Sequence, residues 1–293
     1  HGTNPVDYFL VVLLQIAGAV GNLALISVGL AVIFGMMRVI NLAHGEFIML
    51  GGFAAISSVQ AGINIWLSML VIAPLSVAML GIVVERLVMR RLYGRMVDTM
   101  LASWGLSLLL IGLATTFFGN RVVGIAAPVG SFRIGDYSLG AYDFVLAGVV
   151  LVIFAGGYAV LRFTRAGLIA RATMQNREMA SSLGIEPSRV YAITFAIGSA
   201  LSGLAGGLLA PISGVLPTMG VAYVAKAFIT VITGGASVIT GTALSSTLLG
   251  SINTVSTFVT TPVLGDVALL LAATIFLRLL PTGITGRIFK GAP

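Results

Sequence analysis

Long apolar runs interrupted by very few charges leave this 293-residue chain essentially one environment in which to fold. Runs bounded near 8–37, 47–61, 64–89, 98–118, 144–161, 190–214, 221–233, 238–259 and 264–280 are nearly continuous in Leu, Ile, Val, Ala, Phe and Gly. An ordinary soluble domain carries about 25% charged residues. Here the share is 9%, from 16 Lys+Arg and 9 Asp+Glu, which cannot cover a water-facing surface. Since about 20 apolar residues in a helix cross the hydrocarbon layer of a bilayer, the runs predict an all-α, polytopic transmembrane protein. About 8–9 membrane segments are expected, some short or broken, in a single transmembrane domain over residues 1–293. A β-barrel is set aside, because its strands would alternate in polarity over roughly 10 residues each.

The net charge of +7 would suit nucleic acid if the basic residues formed a patch, but they cluster between the apolar runs. No nucleic-acid partner is expected; the partner is the lipid bilayer. Arg86, Arg90, Arg91 and Arg95 share one loop, and Arg162, Arg165, Arg171, Arg177 and Arg189 another. The excess of Lys and Arg in cytoplasmic loops places both inside. The 119–143 segment, with Arg121, Arg133, Asp136 and Asp143, is then an external loop. Tracing from these anchors puts the N-terminus outside, Arg38 inside and the tail with Arg287 and Lys290 inside, in the cytoplasmic (inner) membrane of a bacterium. The first run has no Lys or Arg before Arg38 and reads as a retained span, not a signal peptide.

Chemistry is sparse. No Gly-x-x-x-x-Gly-Lys-Ser/Thr loop occurs, so the chain has no phosphate cradle of its own. With no Cys and only His1 and His44, zinc spacing is impossible, and His44 has no nucleophile elbow beside it. No catalytic residue, metal site or resident cofactor is expected. Ion-coupled carriers place titratable groups within their spans, whereas nearly every acid here sits at a run end or in a loop; only Glu46 and Lys226 fall deeper. The inference is a solute path driven by another subunit.

Two interruptions stand out. RVINLAHGE (38–46) places Arg38, Asn41, His44 and Glu46 between apolar runs, and VITGGASVITG (231–241) brings Gly234 and Gly235 into one. Broken helices are tolerated where freed backbone groups face protein or a water-filled cavity, and in transporters they point to the solute path. Asn41, His44, Glu46, Gly234 and Gly235 are therefore candidate path residues, with Glu46 expected to pair with freed N–H groups or Arg38. The simpler readings are a tight turn for the first and a closely packed helix for the second. In the 190–214 run, Gly198, Ser202 and Gly206, and one register over Ser199, Gly203 and Gly207, form small-residue rows suited to close helix packing within the chain. The 162–190 loop reads as a short helix, a glycine stop at Gly184 and a new helix at Pro187.

Three motifs add a resemblance. GLAVIFGMMRVINLAHGEFIMLGGFAA (29–55), GLIARATMQNREMASSLGIEPSRVYAITFAIGSALSGLAGGLL (167–209) and LLPTGITGR (279–287) together resemble the branched-chain amino-acid type of ABC transporter permease, the paired permease with an N-x-A-H-G-E signature. Asn41, Ala43, His44, Gly45 and Glu46 match that signature. Glu178, Met179, Ala180 and Gly184 fall on the segment that couples such permeases to their ATPases. The resemblance implies a second related permease subunit, two cytoplasmic ABC ATPase subunits that bind ATP, and an external or periplasmic solute-binding protein. It implies a path for branched-chain or other neutral amino acids by alternating access, with urea or short-chain amides as the alternative cargo within the family. From other classes, a stand-alone channel or secondary carrier for small neutral solutes, and a membrane scaffold without transport, stay open.

Overall fold

The computed structural model describes residues 5–134, 137–235 and 237–288. Asp136 and Lys290, assigned above to outer and inner sides, lie outside them. In chain order the elements are α1 (Pro5–Met37), α2 (His44–Gln60), α3 (Ile65–Leu87), α4 (Met96–Phe118), a hairpin of β1 (Ser131–Ile134) and β2 (Tyr137–Gly140), α5 (Tyr142–Phe163), α6 (Arg165–Gln175) and α7 (Arg177–Ser182). Then follow α8 (Pro187–Ser213), α9 (Gly220–Gly234), α10 (Val238–Val259), α11 (Pro262–Leu279) and α12 (Gly283–Ile288). Local chemistry sets the boundaries. Asn64 accepts hydrogen bonds from the N–H groups of Trp66 and Leu67 to start α3, Thr261 does the same from Leu264 for α11, and α8 and α11 open on Pro187 and Pro262.

The coarse expectation of an all-α membrane protein holds, with the 131–140 hairpin inside the predicted outer loop as the exception. Among the described residues six helices are long and apolar enough to cross a membrane, or seven if α9 and α10, which meet at a bend of 113°, count as one broken span. The sequence reading of 8–9 segments also counted α2 and α9 separately. At 17 and 15 residues these two helices are short, for a reason that lies in where they begin.

The axis of the bundle is α8. Its most apolar window is 61% buried, against 11% for α5 at the rim. Its two small-residue rows meet different neighbours in the same chain. Gly198 and Ser202 face α1 and Gly206 faces α2, while Ser199, Gly203 and Gly207 face α3. At Gly206 a Cβ would overlap the carbonyl of Ile48, so only glycine lets α2 and α8 approach this closely. On the rim, Leu101, Leu109 and Phe117 of α4 and Leu151 and Val152 of α5 remain exposed, as helices bathed in lipid require.

The two basic loops share one end of the bundle. Tyr93, after α3, packs edge to face with Tyr191 of α8 at 5.1 Å, and the Arg177 guanidinium lies 5.6 Å from the centre of the Tyr191 ring. The Tyr93 hydroxyl donates to Glu85 at 2.7 Å, and Arg90 caps the same carboxylate at 3.3 Å. Burial, and then the Glu85 carboxylate, push the Tyr93 phenol well above the usual tyrosine range, so it stays a donor. At the other end, residue 123 pairs with residue 215 through two backbone hydrogen bonds of 2.9 and 2.7 Å, tying the 119–130 segment to the link between α8 and α9.

Candidate functional site

The 38–46 interruption is neither a surface turn nor an open break. Arg38 takes φ +52° to turn the chain off α1, a conformation that costs a non-glycine residue about 1–3 kcal/mol. The chain then runs back into the bundle. Asn41 accepts from the Ala43 N–H at 3.1 Å, and α2 starts at His44. His44 is fully buried. Its Nε2 lies 2.8 Å from the carbonyl of Ile26, which can only accept, so Nε2 is the donor; Nδ1 lies 3.1 Å from the hydroxyl of Ser202. Ile26 precedes the end of α1 at Met37 by 11 residues, and Ser202 precedes the end of α8 at Ser213 by as many. At 1.5 Å per residue both lie about 16 Å from those ends. The first turn of α2 therefore sits deep in the bundle, and the helix is short because it starts there.

A second helix begins at the same depth. A Cβ on Gly220, the first residue of α9, would lie 2.7 Å from the Gly45 carbonyl carbon and 2.7 Å from Glu46 Oε1. The N-termini of α2 and α9 thus abut, and the Glu46 side chain lies where their positive ends converge. Glu46 is fully buried, with its own backbone N–H and the Ser107 hydroxyl as the nearby donors but no hydrogen bond of good geometry to either carboxylate oxygen. The expected pairing with Arg38 does not form: Arg38 is exposed at the surface. The helix start carried Glu46 inward while the turn left Arg38 outside. The Nδ2 of Asn41 is also buried without a partner.

The second interruption is a true break. α9 ends at Gly234, Gly235 adopts φ +86°, which favours glycine, and α10 restarts at Val238. The freed groups are taken up by Thr285 of α12, whose hydroxyl donates to the Gly234 carbonyl at 2.7 Å and accepts from the Ser237 N–H at 3.2 Å. Gly234 also packs against Gly241, so both turns of the break are in van der Waals contact. Thr285 was visible in the sequence only as part of the 279–287 motif; nothing local marks a threonine that acts 51 residues away.

The 162–190 loop has the glycine stop at Gly184 and the restart at Pro187 that the sequence predicts, but holds two helices, α6 and α7, where one short helix is expected. Asn176 accepts from the Met179 N–H at 2.9 Å to cap α7. At the other end Gly184 takes φ +83°, with Gly184 N–H bonding the Ser181 carbonyl and Ile185 N–H the Ala180 carbonyl, the two-bond glycine stop of a helix C-terminus. Glu178 and Met179 project outward, whereas Ala180 is buried against the bundle. Leu183, one turn after Met179 and more exposed than it, completes an apolar outer face that the sequence reading did not single out.

Lys226, the other titratable residue that the sequence places deep, is paired. Its ammonium donates to both oxygens of Asp266 at 2.9 and 3.0 Å, and the Asn253 amide donates to the same carboxylate at 2.9 Å. Among the described residues no group of His, Cys, Asp and Glu is placed to hold a metal ion.

An apolar rim, a buried axis and interior helix starts define a multi-pass membrane protein. The chain belongs to the family described as branched-chain amino acid transport system, permease component, which it matches over residues 12–280. It is 29% identical over 280 residues to the high-affinity branched-chain amino acid transport system permease protein LivH of Salmonella typhimurium and of Escherichia coli K12, covering 90% of this chain and 91% of each relative. To the corresponding permease protein BraD of Pseudomonas aeruginosa it is 30% identical over 282 residues, with the same coverage. Among solved structures it resembles PsaBC from Streptococcus pneumoniae in complex with Fab, with a TM-score of 0.52 and 14% identity over 95% of this chain and 94% of that one. That likeness concerns the fold alone.

Proposed function

We propose that this chain is the membrane-embedded permease subunit of an ABC importer and moves branched-chain or other neutral amino acids by alternating access. The observation that carries the reading is the family match over residues 12–280, supported by relatives named as branched-chain amino acid permeases. The chain supplies the path and no ATP site. Its partners are a second related permease, two ATPase subunits at the end bearing α6 and α7, and a solute-binding protein at the end bearing the 131–140 hairpin. Counting α2 and α9 as membrane segments in their own right brings the total to the 8–9 read from sequence, in one transmembrane domain with N-terminus outside and C-terminus inside. α7 is the knob that seats in the ATPase, through Glu178, Met179 and Leu183, while Ala180 and Gly184 hold its shape. The junction of Asn41, His44 and Glu46 with Gly220, and the break at Gly234 and Gly235, are the two places where α2 and α9 can shift against α8 and open the path to either side.

Reconstitution tests the reading. Proteoliposomes holding the chain with its partner permease, ATPases and binding protein should accumulate leucine only with ATP and only with the ATPases present. Equilibration of leucine by the purified chain alone would make it a channel instead.

A further inference from the structure

From the cavity between α1, α8, α9, α10 and α11 we infer a transient binding station for a zwitterionic α-amino acid, with Lys226 as the carboxylate partner and Asn22 Oδ1 as an ammonium acceptor. The inference rests on the importer reading and gives it a cargo-touching site. The cavity measures about 250 Å³, just below the range of roughly 300–1,000 Å³ usual for small-molecule sites. It has room for a single small solute and none for a nucleotide or a peptide.

Its walls divide by chemistry. Leu23, Leu209, Ile212 and Leu269 form an apolar side that suits an aliphatic side chain. The same lining carries the polar groups of Asn22, Ser213, Tyr223, Lys226 and Asn253. Lys226 gives two of its three N–H groups to Asp266, which leaves one charge-assisted donor for an incoming carboxylate, in competition with the Asp266 charge. Asn22 lines the cavity and its Oδ1 is buried without a hydrogen-bond partner; buried polar atoms in folded proteins are nearly always paired, so a rotation of the side chain that offers this oxygen to a donor in the cavity satisfies it. An α-amino acid brings a carboxylate, an ammonium and a side chain together, and matches all three features. A neutral amide has no charge for Lys226 to bind.

The Lys226–Asp266 pair also keeps the station weak. Cargo has to compete with Asp266 for the ammonium, so the site can fill from a binding protein and still empty. Ile26 contributes to the cavity lining, and its carbonyl holds His44. The station therefore adjoins the junction where α2 and α9 begin, and movement at that junction reaches the cavity through one residue.

The test uses the complete transporter in proteoliposomes. Lys226→Met/Asp266→Asn removes both charges and keeps similar volume, and Asn22→Leu removes the acceptor and keeps its size. Each should assemble, and each should import leucine about ten-fold more slowly at low concentration, the loss expected for one charge-assisted contact. Lys226→Arg should recover part of the rate. In the wild-type complex a diazirine analogue of leucine should label peptides from α1, α8, α9, α10 or α11, with protection by leucine and none by urea. Should the double variant fail to assemble, Asn22→Leu and the labelling decide. Wild-type import by the variants, labelling elsewhere, or equal protection by urea would overturn the assignment. A wild-type complex that imports no leucine at all would sink the importer reading itself, a different outcome from one that imports it regardless of Lys226 and Asn22.

Discussion

The Nε2–H of His44 donates to the carbonyl of Ile26 at 2.8 Å, which pins the first turn of α2 to the middle of α1. On its other side the ring meets Ser202 of α8 at 3.1 Å. One imidazole therefore joins three helices where a fourth, α9, begins against Gly45. If the ring acts as a unit with Ser202, the two losses will not add. His44→Ala and Ser202→Ala should each destabilise the assembled complex by about 1–3 kcal/mol, and the double variant should fall short of the sum by about 0.5–3 kcal/mol. Unfolding of the complex in detergent, read as a double-mutant cycle, measures this; simple additivity would mean the ring and the hydroxyl are neighbours only.

Glu46 separates structure from transport. Its side chain is fully buried between α2 and the start of α9, so Glu46→Ala leaves a void at the junction, and assembly should fall together with transport, by about 2–5 kcal/mol if it behaves as other large-to-small interior changes do. Glu46→Gln keeps the volume and should preserve assembly while lowering leucine import. A Glu46→Ala complex that assembles and transports at the wild-type level would contradict the placement of this carboxylate in the interior.

These cases show which parts of the molecule are legible in sequence. The stop at Gly184 and the restart at Pro187 are local effects within a few residues, and sequence reading finds them, though not the separate helix start at Asn176. The rows Gly198/Ser202/Gly206 and Ser199/Gly203/Gly207 are legible for the same reason, since helical spacing alone fixes their faces. The signature residues Asn41, His44 and Glu46 can be recognised but not placed, because their depth depends on contacts from His44 to positions 18 and 158 residues away. Likewise Thr285 acts on Gly234, and Lys226 on Asp266 across 40 residues. Chain reversal in the bundle, which periodicity does not encode, decides all of them.

Sidedness has a direct check in a chain without cysteine. Ser131 in β1 and Ser181 in α7 are both exposed and lie at opposite ends of the bundle. With the basic loops facing the cytoplasm, Ser131→Cys should react with an impermeant thiol reagent applied to intact cells, and Ser181→Cys only after the membrane is opened. Reaction of both from outside would invert or dissolve the proposed topology.

Recruitment of the ATPase subunits by α7 tests the central claim, a solute path driven from outside this chain. Met179 and Leu183 are exposed apolar side chains on that short helix, and Gly184 holds its end at φ +83°. Met179→Asp/Leu183→Asp puts charge on the seating face without touching the spans, and Gly184→Val disfavours the left-handed stop, at about 1 kcal/mol or more of local stability. The measurement is co-purification of the ATPases with the paired permeases, together with ATP hydrolysis stimulated by loaded binding protein. The account predicts that both variants still pair with the second permease, lose most of the bound ATPase and no longer respond to the binding protein. Undiminished recruitment and stimulation in both would contradict it and leave α7 a solvated helix with no part in driving transport.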